Sequence, residues 1–124
     1  MNDKNNGWEV FDKTNARNYI MEVRVYTDLT LALRKAVHDH FEADKVKLLY
    51  NASLKQIGIK QAKEDDETAF DLRQPNRQKS KAITARSFMK YYELEHLKGG
   101  GYPATWSEEL NMIVVDVSKW RKKK

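Results

Sequence analysis

The chain contains no cysteine. That excludes disulfides, thiolate metal sites and a thiol nucleophile, and it suits a reducing compartment. Proline occurs twice and glycine five times, three of the glycines in a row at 99–101, so the chain is not a Pro/Gly-rich low-complexity polymer. No apolar run approaches the ~18 residues of a membrane span. The first residues, MNDKNNGW, carry no apolar signal core. A cytoplasmic protein without a membrane partner is the expectation. Acidic residues are missing over one long interval: from Arg73 to Lys90 there are six basic residues and no Asp or Glu.

What is present fits one globular domain spanning 1–124. Hydrophobic residues make up 40% and charged residues 33% of a 124-residue chain, enough for one core. The net charge is +5, which favours a polyanionic partner only mildly. Four of those charges lie in the tail RKKK, so their local distribution matters more than the total. Residues 1–7 and 119–124 read as a disordered N-terminus and a frayed basic tail.

Strand and helix periods alternate along the rest. WEVF (8–11) and YIMEVRVY (19–26) read as strands. LTLAL (29–33) alternates and then runs into Leu33, Val37 and Phe41 at helical spacing, predicting a helix near 33–43. KVKLLYNASLKQIGIKQ (45–61) reads as a hairpin. KEDDET (63–68) is a charged linker. AFDLR (69–73) and AIT (82–84) read as strands flanking the polar loop QPNRQKSK. Thr84 is a candidate N-cap for a second helix near 84–94, broken by the glycine run. YPATW, a turn at SEELN, and MIVVDV make a second hairpin, with Pro103 placing the first of its strands at an edge or starting it late.

The order strand, loop, strand, helix, hairpin thus occurs twice, in halves of about 19–62 and 69–117. TLALRKAVHDHF (30–41) and KAITARSFMKYY (81–92) share a layout: Leu31 matches Ile83, Leu33 matches Ala85, Arg34 matches Arg86 and Val37 matches Met89. The expected fold is α+β, a pseudo-twofold β-barrel or sandwich built from two strand-helix-hairpin repeats. The expected core is Val23, Leu31, Leu33, Val37, Phe41, Leu48, Ile57, Ile59, Phe70, Ile83, Phe88, Tyr92, Ile113 and Val115.

This pattern, VxVxxxxxLxLxxAVxxxF followed by VxLxYxxxxxIGI, resembles the swapped-hairpin barrels of AbrB-like transition-state regulators and, more broadly, cradle-loop barrels. Both halves would then lie in one chain. The resemblance implies DNA binding and transcription regulation through the loop between the first two strands. The sequence departs from the family in one respect. The Gly-Arg pair usual before the strand leading into the helix is replaced by Thr27-Asp28 in the first half and Lys79-Ser80-Lys81 in the second. Stretches such as IGIK, AFDLR and YPATW also resemble small proteins of bacteriophages and mobile elements.

The candidate nucleic-acid-binding residues are Arg73, Asn76, Arg77, Lys79, Lys81 and Arg86. A loop of this composition can reach phosphates with its cations and base edges with its amides. His38 and His40 are two apart, which points their rings away from each other on a helix and not at a shared metal. Glu64–Glu67 lacks the glycine and ligand spacing of a calcium loop, and 99–101 lacks the Lys-Ser/Thr of a phosphate loop. No serine carries a nucleophile signature. No enzyme activity, cofactor or metal is expected. The expected partner is DNA or RNA. The alternative is a protein-binding module, such as a phage inhibitor or adaptor of a host protein, using a hairpin edge or the acidic linker.

Overall fold

The computed structural model describes residues 21–42, 44–74 and 80–118. The expectations for 1–20 and 119–124, and those for Asn76, Arg77 and Lys79, lie outside the described residues. Eight strands form one antiparallel sheet: β1 Glu22–Val25, β2 Thr30–Leu33, β3 Lys45–Asn51, β4 Gln56–Gln61, β5 Phe70–Asp71, β6 Lys81–Thr84, β7 Gly101–Ser107 and β8 Met112–Asp116. Helices α1 (Lys35–His38) and α2 (Arg86–Tyr91) follow β2 and β6, and a 3₁₀ turn at Glu95–Leu97 precedes β7.

The strand order is β5-β3-β4-β8-β7-β1-β2-β6. The two ends of that order meet at one bridge. Arg73 and Ala82 exchange backbone bonds, Arg73 N–H to Ala82 O at 2.8 Å and Ala82 N–H to Arg73 O at 2.6 Å. The sheet is therefore a nearly closed barrel, which leaves few unpaired edges.

Strand alternation explains the interior. Val23, Val25, Leu31, Leu33, Val46, Ile57, Ile59, Ile83, Tyr102, Ile113 and Val115 are buried. Tyr102 is fully buried, and its hydroxyl donates to Leu97 O at 2.7 Å, so burying this aromatic leaves no polar group unpaired. Of the expected core, Leu48 and Phe70 are half-buried against it, and Tyr92 is 41% exposed.

The structure corrects several sequence-based expectations. The molecule is mostly strand and not α+β, because the helices are stubs of four and six residues. Leu33, Val37 and Phe41 are all buried at helical spacing, but Leu33 belongs to β2. α2 ends two residues before Glu93, which adopts φ 56°, while Leu94 N–H reaches back to Met89 O at 2.7 Å. The glycine run comes later and does not end the helix. Thr84 does not cap α2: the N-cap is Ala85, with no side-chain bond. Pro103 lies inside β7, which has β1 and β8 on its two sides. It is tolerated there because the bond to the β1 side comes from Ala104 N–H to Met21 O, 3.1 Å, and the β8 ladder begins at Ala104↔Val115.

Candidate nucleic-acid interface

Among the described residues of the basic interval, Lys81 lies on β6, Arg86 and Lys90 lie on α2, and Arg73 sits at the bridge that closes the barrel. Strand parity and closure set where each cation goes. Arg73 pairs with Ala82 across the barrel seam, and its exposed side chain donates from Nη2 to Thr84 Oγ1 at 2.7 Å. That bond ties Arg73 along β6 towards α2. Lys81 shares the inward parity of Ile83 but sits at the rim, where its Nζ lies 3.6 Å from Asp44 Oδ1. Arg86 is the first residue of α2, at the other end of β6. Three residues of strand, about 10 Å, separate Lys81 from Thr84. The structure therefore brings Arg73 and the Thr84–Arg86 junction together and leaves Lys81 at the opposite rim.

Sequence reasoning did not single out the surroundings of Arg86. An open cleft of about 330 Å³ is lined by Thr27, Asp28, Leu29, Arg86, Lys90, Glu95 and Lys98. It lies between α2, the 3₁₀ turn and the β1–β2 turn. Asp28 accepts from Thr30 N–H at 3.1 Å. That bond, aided by Arg86 nearby, holds its carboxyl below the usual carboxylate range. Among the described residues, Arg86, Lys90 and Lys98 have no carboxylate partner at ion-pair distance. A smaller hollow of about 240 Å³ on the seam is lined by Ala69, Phe70, Asp71, Arg73 and Thr84. Asp71 is engaged there by Lys45 Nζ at 2.6 Å.

Other charged groups are locally satisfied. The acidic linker forms a turn in which Asp66 accepts from Thr68 N–H at 2.9 Å and Thr68 Oγ1 at 2.6 Å, with Lys47 Nζ 3.1 Å away. Those bonds lower its carboxyl to about 2. His38, at the end of α1, and His40, just beyond it, diverge. His38 is buried with its Nδ1 3.4 Å from Asp39, whereas His40 stacks on Trp106 at 4.7 Å, with the rings 4° from parallel.

The aromatics near the basic run separate in the same way. Tyr102 is core, Trp106 is half-buried under His40, and Tyr92 packs on Phe88 and Tyr50. Tyr91 alone of these stands in solvent, 79% exposed. The rise in exposure from Met89 to Tyr91 follows helical spacing, which could have singled out this residue.

Comparison with protein-family models, curated proteins and solved structures returned no match for this chain. Among the described residues no helix is long and apolar enough to cross a membrane. The fold and surface define a small, mostly-strand, nearly closed antiparallel barrel with a cation-rich flank along β6 and α2.

Proposed function

We propose that this protein is a non-enzymatic nucleic-acid-binding accessory or regulatory protein whose contact surface is the flank from Arg73 to Lys90. One observation carries the reading: within the longest acid-free interval of the chain, the Arg73 bridge and helix α2 hold Arg73, Arg86 and Lys90 exposed along one flank. Phosphate contact by such cations gives sequence-tolerant, salt-sensitive binding. Lys81 at the start of β6, with Arg77 and Lys79 before it in sequence, supplies further phosphate contacts, and Arg73 or Asn76 reads base edges. In a mobility-shift assay on duplex DNA, Arg77→Ala, Lys79→Ala and Lys81→Ala together should reduce the salt slope by roughly 0.9 per lost contact. Truncating residues 121–124 is the control for binding by the tail. A triple variant that binds like the parent removes the loop from the interface.

The finer architecture belongs to the same proposal. The barrel is read as two strand-helix-hairpin copies related by a pseudo-twofold axis, as the resemblance to swapped-hairpin barrels implies. Leu31 pairs with Ile83, its counterpart 52 residues on. Gly58 pairs with Val114, 56 residues on. An axis through both pairs carries the strand order into its own reverse. The hairpin turns agree in detail: Leu54 N–H bonds Asn51 Oδ1 at 3.0 Å, and Leu110 N–H bonds Ser107 Oγ at 3.1 Å. Lys55 and Asn111 have φ of 55° and 54°. Each copy also lays a ring from its helix end on the other copy's hairpin, His40 on Trp106 and Tyr92 on Tyr50.

The protein-binding alternative has support of its own. Among the described residues β3 pairs with β5 only at Lys45 and Val46, and Leu54 and Leu110 are exposed at the hairpin tips. An edge and two leucines suit strand addition by a partner. Capture that persists at high salt separates this reading from nucleic-acid binding.

A further inference from the structure

We propose that the cleft between α2 and the β1–β2 turn binds single-stranded nucleic acid, with Tyr91 stacking on a base and Arg86, Lys90 and Lys98 holding the flanking phosphates. This inference rests on the nucleic-acid reading above. It narrows that reading to an unpaired strand, and to the end of β6 away from the 75–79 loop.

The helix supplies the geometry. Phe88 and Met89 are buried and anchor α2 to the barrel. Arg86, Ser87, Lys90 and Tyr91 are exposed, and their i, i+1, i+4, i+5 spacing makes them one continuous face. Tyr91 meets Tyr92 nearly perpendicular, at 4.8 Å and 85°. Tyr92 in turn is held by Phe88 at 5.2 Å and Tyr50 at 5.0 Å. The Tyr91 ring is thus steadied on one side while most of it stays in water. A steadied aromatic beside a cationic groove is the arrangement on which unpaired bases stack, whatever their identity. A duplex keeps its base faces covered and cannot use it.

Tyr91 directly follows Lys90, which is part of the cleft wall, and among the described residues the cleft's cations have no carboxylate at ion-pair distance. Lys98 extends the charge of Arg86 and Lys90 across the cleft. Two acids share the lining. Asp28 is engaged by Thr30 N–H. Both carboxylates keep their charge, Asp28 near enough to Arg86 to feel it, so charge attraction is moderate and stacking must supply part of the affinity. The corresponding face of α1 is closed to such a ligand: Arg34 Nε is 3.1 Å from Glu22 Oε1, and Lys35 Nζ is 2.6 Å from Asp39 Oδ2.

The test is fluorescence anisotropy of the full chain with labelled oligo-dT, oligo-U and a DNA duplex of equal length. Single strands should bind in preference to duplex, and the oligo-dT and oligo-U arms separate DNA from RNA as the source. Tyr91→Ala should weaken binding about 5- to 100-fold, the range of one lost base stack. Tyr91→Phe should restore it. Lys90→Ala with Lys98→Ala should flatten the single-strand salt slope by about 1.4, at roughly 0.7 per contact. Melting temperatures should stay at the parent's value, since all three side chains lie on the surface. If these variants bind like the parent while the Arg77/Lys79/Lys81 triple variant loses binding, the cleft assignment falls and the nucleic-acid reading survives. If the parent binds no nucleic acid at low salt, both fall.

Discussion

The outer faces of α1 and α2 follow the same path from barrel strand to stub helix, yet their electrostatics differ. On α1 each cation has an acid: Arg34 has Glu22, and Lys35 has Asp39. On α2 the matching arginine is Arg86. On the proposed two-copy reading, the register that aligns β1 with β5 puts Ala69 where Glu22 stands, and the spacing that aligns the helices puts Tyr91 where Asp39 stands. Among the described residues, one face therefore has its cations at ion-pair distance from acids, while Arg86 and Lys90 on the other have no carboxylate that close and share α2 with the exposed Tyr91. Charge pairing stabilises a surface only slightly, so neither face is explained by fold stability alone. The difference lies in what each face can offer a polyanion.

The predictions probe that difference, starting with the largest effect. Phe88 is buried on α2, whereas α1 carries Ala36 at the matching place. Phe88→Ala should cost about 3–5 kcal/mol in a denaturant melt, and a loss below roughly 1 kcal/mol would mean that α2 is not anchored by this ring. Gly58 comes next. A Cβ there would meet the Met112 thioether end at 2.9 Å and Leu49 Cβ at an ordinary 3.5 Å, at a buried site where Met112 has less room to swing, and the midpoint of Gly58→Ala should move at least as far as that of Gly101→Ala. Gly101→Ala is the contrast. Its Cβ would run into the Glu22 carboxylate and approach Arg24 Nη1 at 3.2 Å, both ends of flexible side chains, so Gly101→Ala should cost about 1 kcal/mol, the low end for added bulk.

Smaller still is the effect of Glu22→Ala, which gives α1 the pattern of α2. Stability should change by less than about 1 kcal/mol, because the pair is partly exposed, and affinity for oligo-dT should rise. Unchanged affinity would show that a freed arginine without a neighbouring aromatic is not enough. The acid limit is the last. Asp28, Asp39, Asp66 and Asp71 all have carboxyls held below their ordinary 3.8 by hydrogen bonds or lysine partners, Asp66 to about 2. A depressed carboxyl contributes stability above its unfolded value and loses it as pH falls through the folded one. Stability should therefore decline from pH 3.8 towards 2, and Asp66→Asn should flatten the lower part of that decline in a urea-midpoint series.

Much of the barrel was legible because strands announce themselves with a period of two. Ile57 and Ile59 around Gly58, and Ile113 and Val115 around Val114, gave both hairpins and their inward faces. The helices were overread. Leu33–Val37–Phe41 has helical spacing, but strand β2 claims the first residue and the apolar repeat does not tell which element owns a boundary position. Pro103 was read as an edge signal because a missing N–H normally costs a ladder bond. The ladder's offset by one residue removes that cost, and offset is a tertiary property. The basic run was visible as composition. Its division by β6, with Lys81 going to Asp44 and Arg86 to the cleft, was not, because Asp44, Asp28 and Lys98 come from distant parts of the chain. Tyr91 was not singled out, although the i, i+4 spacing of Phe88 and Tyr92 already leaves it off their shared face.

The most direct measurement compares matched double variants of the two helices. Arg86→Ala with Lys90→Ala strips the open face of α2, and Arg34→Ala with Lys35→Ala strips the paired face of α1. Each is titrated with labelled oligo-dT over a range of salt concentrations. The account predicts that the α2 variant binds more weakly, with a salt slope flatter by about 1.4, and that the α1 variant binds like the parent. Equal losses from both faces, or an unchanged slope for the α2 variant, would contradict it.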